Sequence, residues 1–353
     1  MLALLLHVRG SRTIRFRLSR SPRRALAVGL IVFVAATLGC GWAMERADAV
    51  RDPVYGQKEN RLRALTRADG PLILVLGSSR VENGMNAGHA EMVLRRTAGQ
   101  RVIVFNFGVS GAGPLTMSIY FQRMLARGIV PDGIVIEVLP KMLSDTAIGP
   151  PELAWLNPER FSHRERAELA RISPSGTAHW RSSAMPWREY ANQILFRIGQ
   201  PYVPPSVRFV WTLPMDDHGW SRFFQDGVTP EQRASWTLRA ERECKPNLTA
   251  FHADGVAAAS FRQLIETCRE RRIPVHLLLM PEGTAFHGWY GPSVNERLAA
   301  YLSSLPVPMT DARRWMPDDA FADGHHLLPH AATAFSERLA GEILHPLLEG
   351  RSP

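Results

Sequence analysis

The chain has 353 residues, of which 45% are hydrophobic and 21% charged, so it holds enough apolar material for a large buried core. This composition excludes an intrinsically disordered protein and a small disulfide-held protein. The net charge of +9 would by itself suggest nucleic-acid binding, but seven arginines lie in residues 1–24, which contain no acid. The remaining residues carry 35 basic and 33 acidic side chains, or +2, so we predict no nucleic-acid partner.

An uncharged segment of twenty residues, 25–44, directly follows these arginines. At about 1.5 Å per residue it matches the roughly 30 Å hydrocarbon core of a bilayer, and Trp42 lies near its far end, where interfacial aromatic residues are common. The positive-inside rule keeps the tail in the cytoplasm and places the chain after about residue 45 outside the cytoplasmic membrane. We therefore predict a single-pass anchor; the alternatives are a cleaved signal peptide and lipid attachment at Cys40.

The rest of the chain divides into a polar linker at 45–68 and a domain at 69–350, which is interrupted by an insertion at about 145–250. The insertion has no clear strand pattern and holds six of the nine tryptophans. Tryptophan packs a small subsidiary core more often than it stacks on a sugar ring, so we favour packing and keep sugar binding as the alternative. The six are Trp155, Trp180, Trp187, Trp211, Trp220 and Trp236.

Short apolar runs, each followed or preceded by a helical pattern, indicate the fold class. Runs of this kind are typical of strands buried on both faces of a parallel sheet. We therefore predict an α/β fold with three layers, α/β/α, around a parallel, flavodoxin-like five-stranded sheet. The predicted strands occupy residues 71–77, 101–108, 133–140, 273–281 and 307–312.

Cysteines are few. Apart from Cys40, the chain has only Cys244 and Cys268. In an oxidising compartment these two could form one disulfide, and otherwise they would be two buried thiols; the sequence leaves both open.

Polar and small residues follow the predicted strands at the edge where parallel sheets bind ligands. Ser79 follows the first strand on a turn into a helix, whose free N–H groups favour a developing oxyanion. Glycines follow the second strand, and Asp323 and His326 come between the last strand and the last helix. A serine nucleophile needs a base to accept its proton and an acidic group to orient that base, and these segments supply all three.

Together these segments resemble the SGNH, or GDSL-type, hydrolase superfamily over residues 71–146 and 255–348. The resemblance implies that Ser79 is the nucleophile, His326 the base and Asp323 its orienting partner. The sequence is more similar to the membrane-anchored, extracytoplasmic branch, which includes alginate-acetylation and D-alanylation proteins, than to secreted lipases. The segments that carry this similarity are GSSRV, then NFGVSGAGP, then a strand followed by proline.

The resemblance also implies that the N–H groups of Ser79 and Gly108 hold the oxyanion. The sequence departs from the family pattern at two points. Ser78 stands where an aspartate is usual, and the segment 137–140, EVLP, lacks the asparagine of the third family motif. One oxyanion donor is therefore missing or replaced.

Several neighbouring residues have two interpretations. Arg80, Asn106, Gly111 and Glu137 are candidate substrate contacts, but each is also the kind of residue that a turn, a helix or an ion pair requires. His325 lies beside His326 and is the obvious source of a wrong assignment. His330 follows His326 at a spacing that would allow a metal site with Asp323, but Pro329 separates the two histidines, so we predict no metal.

We therefore predict a membrane-anchored serine esterase or O-acyltransferase that acts without a cofactor on an acylated, carbohydrate substrate outside the cytoplasm. A membrane acyltransferase would be a fitting partner. The alternative is an inactive scaffold of the same fold that binds polysaccharide or a partner in a cell-envelope export or acylation complex; the missing asparagine favours it.

Overall fold

The computed structural model describes residues 22–66, 70–99, 101–147, 149–172, 185–212 and 214–350. Most of the predicted cytoplasmic tail and Trp180 of the insertion lie outside these residues. The described chain is built around one parallel sheet, with helices on both of its faces.

The sheet has five strands in the described residues, in the order β2-β1-β3-β4-β5, and every pair is parallel. The predicted α/β class and the five predicted strand segments are thus confirmed, and each strand is shorter than its predicted segment. The strands are β1 (Leu72–Gly77), β2 (Ile103–Gly108), β3 (Gly133–Glu137), β4 (Val275–Leu279) and β5 (Met309–Asp311).

Within the described residues three helices precede the sheet: α1 (Pro22–Arg46), α2 (Asp48–Arg51) and α3 (Pro53–Leu65). Those between β1 and β4 are α4 (Ser79–Gly84), α5 (Ala87–Ala98), α6 (Pro114–Ala126), α7 (Pro140–Leu143), α8 (His163–Ile172), α9 (Pro186–Glu189), α10 (Ala191–Ile198), α11 (Pro205–Trp211), α12 (Pro230–Thr249) and α13 (Val256–Glu270). The last are α14 (Thr284–His287), α15 (Pro292–Ser303), α16 (Pro329–Leu339) and α17 (His345–Glu349), with a π-helical turn, Ala340–Leu344, between α16 and α17.

Alternation along β1 shows how the sheet separates two cores. Leu74 and Leu76 belong to the core that α3, α6, α13 and α15 cover, whereas Ile73 and Val75 belong to the core under α4, α5 and α16. Successive strand side chains point to opposite faces, so a strand covered on both faces must be apolar throughout. This explains why the strands could be recognised as continuous apolar runs.

Helix α1 stands apart from both cores. It is long and apolar enough to cross a membrane over Arg24–Arg46, and its apolar stretch is not buried against the rest of the described chain. A single apolar helix near the N-terminus fits a single-pass membrane anchor or a signal sequence.

The prediction of a linker at 45–68 is wrong for residues 45–66, which are mostly helical; residues 67 and 68 lie outside the described residues. Helices α2 and α3 pack on the domain, and Tyr55 and Leu62 lie in its core. Lys58 is fully buried and donates from Nζ to the carbonyl oxygens of Asn106 at 3.0 Å and Gly219 at 2.7 Å. A polar composition suggested a solvated connector, but charges can be buried when backbone carbonyls or counter-charges meet them.

The predictions for the insertion tryptophans and for the two later cysteines need correction. Trp211 packs in the core on the α3 side of the sheet and Trp220 in the core on the α5 side, so these tryptophans do not form a subsidiary core. A small separate cluster does exist around Leu153 and Phe161, without a tryptophan in it. Cys244 and Cys268 are both buried free thiols, so the disulfide alternative is wrong.

A buried ionic cluster joins α3 to α6 and α8. Asp52 accepts hydrogen bonds from the Tyr120 hydroxyl at 2.5 Å, from Arg123 at 3.3 Å and from Arg160 at 3.1 Å. Arg123 also makes two hydrogen bonds of 2.9 Å to the two carboxylate oxygens of Glu165. Because each buried charge has a partner, the cluster holds the N-terminal helices on the domain.

The cluster predicts a loss of stability in acid. Burial raises the pKa of Glu165, but the hydrogen bonds and charge of Arg123 outweigh this and lower the pKa from 4.5 to about 2. A folded-state pKa below the unfolded value stabilises the fold above pH 4.5, and this stabilisation is lost as the pH falls towards 2, by up to roughly 3 kcal/mol. Thermal unfolding should show a shallower loss of stability below pH 4.5 in Glu165→Gln than in the wild type.

Glu168→Gln is the matched control, because Glu168 lies on the same helix, half exposed, and pairs only loosely with Arg164 at 3.5 Å. It should follow the wild-type profile. Equal profiles for Glu165→Gln and the wild type would contradict the assignment.

Candidate active site

The turn between β1 and α4 presents Ser79. Gly77 has no room for a side chain, since a Cβ there would lie 2.3 Å from Val81 and 2.6 Å from the Glu137 carboxylate. Ser78 caps α4, because its Oγ accepts a hydrogen bond from the N–H of Arg80 at 3.2 Å. Ser78 and Arg80 are buried and Ser79 is partly exposed, so Ser79 carries the accessible hydroxyl of this turn.

Ser79, His326 and Asp323 lie within one hydrogen-bonded chain. His326 Nε2 is 2.8 Å from Ser79 Oγ, and His326 Nδ1 is 2.7 Å from Asp323 Oδ2. The other carboxylate oxygen of Asp323 accepts the backbone N–H groups of His325 at 3.1 Å and His326 at 2.9 Å. The three residues predicted as nucleophile, base and orienting acid are thus brought together, across 247 positions of sequence between serine and histidine.

The charge state of Asp323 suits its position beside the base. Burial would raise its pKa, but the His326 and His325 imidazoles and the hydrogen bonds from His326 outweigh burial and hold the pKa well below its usual range. The carboxylate therefore stays ionised at neutral pH, where it accepts the Nδ1–H of His326 and leaves Nε2 free to receive the serine proton.

His325 is excluded as the base by its surroundings. Its ring is buried and stacks on Phe286, with ring centroids 4.9 Å apart. Burial and the neighbouring His326 lower its pKa well below the ordinary value, so it is neutral at pH 7. His330 is also separate from the site chemistry, because its ring bonds exposed Asp226 at 2.6 Å.

Asp323, His325 and His326 have ligand-type atoms within 4.8 Å of one another. Both ring nitrogens of His326 already face Ser79 and Asp323. This arrangement serves proton transfer, and we derive no metal chemistry from it.

Gly108 does not match its predicted role as an oxyanion donor. Its N–H donates to Asn106 Oδ1 at 2.8 Å, and the residue is buried. A Cβ on Gly108 would lie 2.3 Å from the backbone N of Glu82, so the glycine is needed for the close approach of β2 to α4. The prediction is corrected: Gly108 is a packing glycine whose N–H is already used.

Asn106 is likewise not a substrate contact. Its side chain is fully buried and its amide donates to the carbonyl oxygens of Val81 and Met85, both at 2.7 Å. Together with the bond to Gly108, these contacts fix the end of β2 against α4.

Gly111 has the free N–H group that Gly108 lacks. It lies on the loop after β2 with a φ of +77°, a conformation that favours glycine, and its N–H has no acceptor within the described residues. The preceding residue, Ser110, is held by Glu82 Oε2, which accepts its N–H at 2.9 Å and its hydroxyl at 2.5 Å. The loop that carries Gly111 is therefore anchored to α4, the helix that begins with Ser79.

Arg80 and Glu137 are also corrected, from substrate contacts to buried supports of the site. Arg80 donates to the carbonyl oxygens of Met280 and Pro281 at 2.8 Å and pairs with Glu282 at 3.3 Å. Glu137 accepts the N–H of Ser78 at 2.6 Å. These bonds tie the nucleophile turn to the ends of β3 and β4.

Sequence reasoning missed Phe224 and Lys141 near the triad, and it named Trp155 without placing it there. The ring centroids of Phe224 and His326 are 5.4 Å apart. Trp155 is 57% exposed and lies against Gly111, since a Cβ added to Gly111 would be 3.3 Å from the Trp155 Cβ. Lys141 follows β3 where the family asparagine is missing; it lies 3.1 Å from Cys244 Sγ and contributes to the lowered pKa of His325. The missing motif asparagine at 137–140 could have drawn attention to the next residue, Lys141. Nothing in the sequence linked Phe224 to His326.

Comparison with known proteins gave structural likenesses only. No protein-family model matches the chain, and no curated protein matches it. A lipolytic protein of the G-D-S-L family from Desulfitobacterium hafniense DCB-2 is similar, with 10% identity and a TM-score of 0.33 over 77% of this chain and 99% of that one. A catalytic mutant of Axe2, an acetylxylan esterase from Geobacillus stearothermophilus, has 11% identity and a TM-score of 0.36 over 77% and 94%.

The lipase Lip_vut3 from a goat rumen metagenome has 12% identity and a TM-score of 0.31 over 77% of this chain and 98% of that one.

Proposed function

We propose that the protein is a membrane-anchored serine esterase or O-acyltransferase that acts on an acylated carbohydrate outside the cytoplasm. The observation that carries the proposal is the continuous hydrogen-bonded chain from Ser79 Oγ through His326 to Asp323. A partly exposed serine, an imidazole within hydrogen-bond reach and a buried ionised carboxylate behind it are the parts that nucleophilic acyl transfer needs.

In the proposed reaction His326 Nε2 takes the proton of Ser79 as Oγ attacks the acyl carbonyl carbon. The resulting oxyanion is held by two N–H groups, that of Ser79 at the start of α4 and that of Gly111, which replaces Gly108 in this role. Collapse returns the proton from His326 to the leaving alcohol and leaves an acyl group on Ser79. Water or a sugar hydroxyl then attacks the acyl carbonyl carbon and gives up its proton to His326. The bond from that carbon to Ser79 Oγ breaks, the acyl group leaves on the acceptor, and His326 returns the proton to Oγ.

The aromatic residues beside the triad support a carbohydrate substrate. Trp155 lies on the Gly111 side, and Phe224 lies on the His326 side with Phe223 packed edge-on against it, their ring centroids 4.8 Å apart. Trp155 and Phe223 are 57% and 46% exposed. Exposed aromatic side chains beside Gly111 and near His326 suit the apolar faces of sugar rings.

The anchor supports an extracytoplasmic site. Helix α1 is long and apolar enough to span a bilayer, and the arginine-rich tail precedes it. If the tail stays inside, the sheet and its triad lie outside the membrane. A membrane acyltransferase partner would then supply an acyl donor where transfer, not hydrolysis, is the reaction.

The second candidate is a non-catalytic scaffold of the same fold. It is favoured by the missing third-motif asparagine and by the occupied N–H of Gly108, which together remove two expected oxyanion donors. The intact serine–histidine–aspartate chain favours the enzyme.

One experiment separates these functions. The full chain in lipid nanodiscs is incubated with an acetylated oligosaccharide and an excess of unacetylated acceptor, and both free acetate and acetylated acceptor are measured. Free acetate identifies a hydrolase, and acetylated acceptor identifies a transferase. A folded wild-type chain that yields neither from this substrate nor from p-nitrophenyl acetate would favour the scaffold.

If the aromatic residues bind sugar, removing one should weaken binding of an oligosaccharide substrate but not of a small ester. Trp155→Ala should raise KM for the acetylated oligosaccharide by roughly 10-fold, which corresponds to the loss of about 1 to 2 kcal/mol of ring contact, with little change for p-nitrophenyl acetate. Val130→Ala is the control, since Val130 is 52% exposed and precedes β3, at the sheet edge opposite the triad. Equal effects of Trp155→Ala on both substrates would contradict the sugar-binding role.

A further inference from the structure

Helix α9 packs along the side of α1, the candidate membrane span. The Trp187 ring lies edge-on against the Phe33 ring, with centroids 4.9 Å apart, and a Cβ on Gly41 would be 3.2 Å from the Pro186 ring. Gly41 is next to Trp42, the aromatic residue at the outer end of the span, and Phe33 lies about 12 Å further along the helix at 1.5 Å per residue. Pro186 is thus at interface depth, and the indole of Trp187 extends from there towards the middle of the span.

Helix α10 continues from α9 and is fixed to the first residues beyond the span. Gln193 is buried and donates to the carbonyl oxygen of Arg51 at 3.3 Å, and Arg197 donates to that of Ala49 at 3.3 Å. Both acceptors belong to α2, which begins two residues after α1 ends. Helix α10 therefore lies at the level where the chain leaves the membrane.

Three apolar side chains of this segment are exposed. Ile198 is 70% exposed, Tyr202 68% and Met185 47%. Other side chains of the segment pack on the domain, where Leu195 and Phe196 contact its core. Exposed apolar side chains on a segment whose other side chains pack on the domain suit a second apolar environment.

We propose that residues 185–202 form a membrane seat, a surface element that inserts its exposed apolar side chains into the boundary between lipid head groups and acyl chains beside α1. The proposal rests on the proposed anchoring by α1. Lipid is the occupant because the seat is continuous with the span: α9 touches α1 at interface depth, and α10 is bonded to α2. Tryptophan and tyrosine are residues with an apolar body and a polar tip, and exposed Arg188 offers a charge to lipid phosphates.

The seat would fix the orientation of the domain on the bilayer. Only Ala47 separates α1 from α2, Arg51 of α2 is buried, and α3 packs on the domain along most of its length. With a second contact through the seat, the domain has no flexible linker on which to swing. The triad would then work at one height above the membrane, which suits a substrate that is itself held at the cell surface.

The test uses the full chain in nanodiscs with Cys40→Ala, because Cys244 and Cys268 are buried and should not react in the folded protein. An environment-sensitive fluorophore is attached to one introduced cysteine at a time, and its quenching is measured with spin-labelled lipids and with aqueous iodide. The variants are Ile198→Cys in the seat, Leu30→Cys in α1, and Met92→Cys on α5, which covers the opposite face of the sheet from α3.

We expect the probes at 198 and 30 to lose emission with the lipid quencher, and the probe at 92 to lose emission with iodide only. If 30 responds to lipid but 198 responds to iodide, the seat faces water and this proposal fails while the anchor stands. If 198 is shielded from both quenchers, protein covers it and the lipid assignment is overturned. If 30 does not respond to lipid, the anchoring itself fails, and the seat with it.

Discussion

Replacing Ser79 by alanine is expected to lower kcat/KM for an acetyl ester by roughly 10⁴- to 10⁶-fold, because the nucleophile of an acyl-enzyme pathway is removed. The fold should not change, since the Ser79 hydroxyl contacts His326 at the site and the Ser79 carbonyl still accepts its bond from Asn83. The measurement is turnover of p-nitrophenyl acetate by the full chain, with thermal unfolding as the check on the fold.

Ser78→Ala is the matched control one residue away. The Ser78 hydroxyl caps α4 and makes no contact with the triad, so its loss should cost about 1 kcal/mol of stability and leave most of the turnover. Wild-type turnover in Ser79→Ala, or an equal loss in both variants, would exclude Ser79 as the nucleophile.

Asp323→Asn should lower kcat/KM by roughly 10³- to 10⁴-fold with the loop kept in place. The asparagine oxygen can still accept the backbone N–H groups of His325 and His326, but the amide nitrogen now faces His326 Nδ1 and favours the imidazole tautomer with its proton on Nε2. That tautomer cannot accept the serine proton. Steady-state kinetics and a thermal melt of the same preparation measure both effects.

Asp226→Asn controls for the chemistry of the change. Asp226 bonds a histidine ring, that of His330, at a similar distance of 2.6 Å, but the pair is exposed and does not include the nucleophile. It should leave kcat/KM close to wild type. A triad role for Asp323 would be excluded if the two asparagine variants behaved alike.

The buried polar bonds around the turn explain how the site is held for either reaction. Arg80 bonds the end of β4, Glu137 bonds the nucleophile turn from β3, and Asn106 bonds α4 from β2. Side chains fixed by such hydrogen bonds hold Ser79 and the loop after β2 in the same relative positions before substrate binds. Three of the four residues predicted as substrate contacts, Arg80, Asn106 and Glu137, are thus supports of the catalytic geometry.

The fold was predictable because strands β1 to β4 are buried and mostly apolar, so they stand out from the amphipathic helices around them. The short strand β5 is polar and partly exposed, so it was the weakest of the five patterns. The packing of helix α3 on the domain was not predictable from the sequence. Lys58 bonds a distant backbone carbonyl and Asp52 bonds a distant arginine, and local composition cannot reveal such partners. At the site, the order of Ser79, Asp323 and His326 along the chain sufficed. The prediction of Gly108 as an oxyanion donor was wrong because its N–H is bonded to the Asn106 side chain, and a sequence motif does not show which way that side chain turns.

The most direct test of the central claim is covalent labelling of the full chain in nanodiscs with a fluorophosphonate, followed by mass spectrometry of the peptides. We predict one phosphonyl adduct, on Ser79, that is retained in Ser78→Ala and lost in Ser79→Ala and His326→Ala. A folded wild-type chain that remains unlabelled, or that carries its adduct on another serine, would contradict the assignment of Ser79, His326 and Asp323 as a working triad.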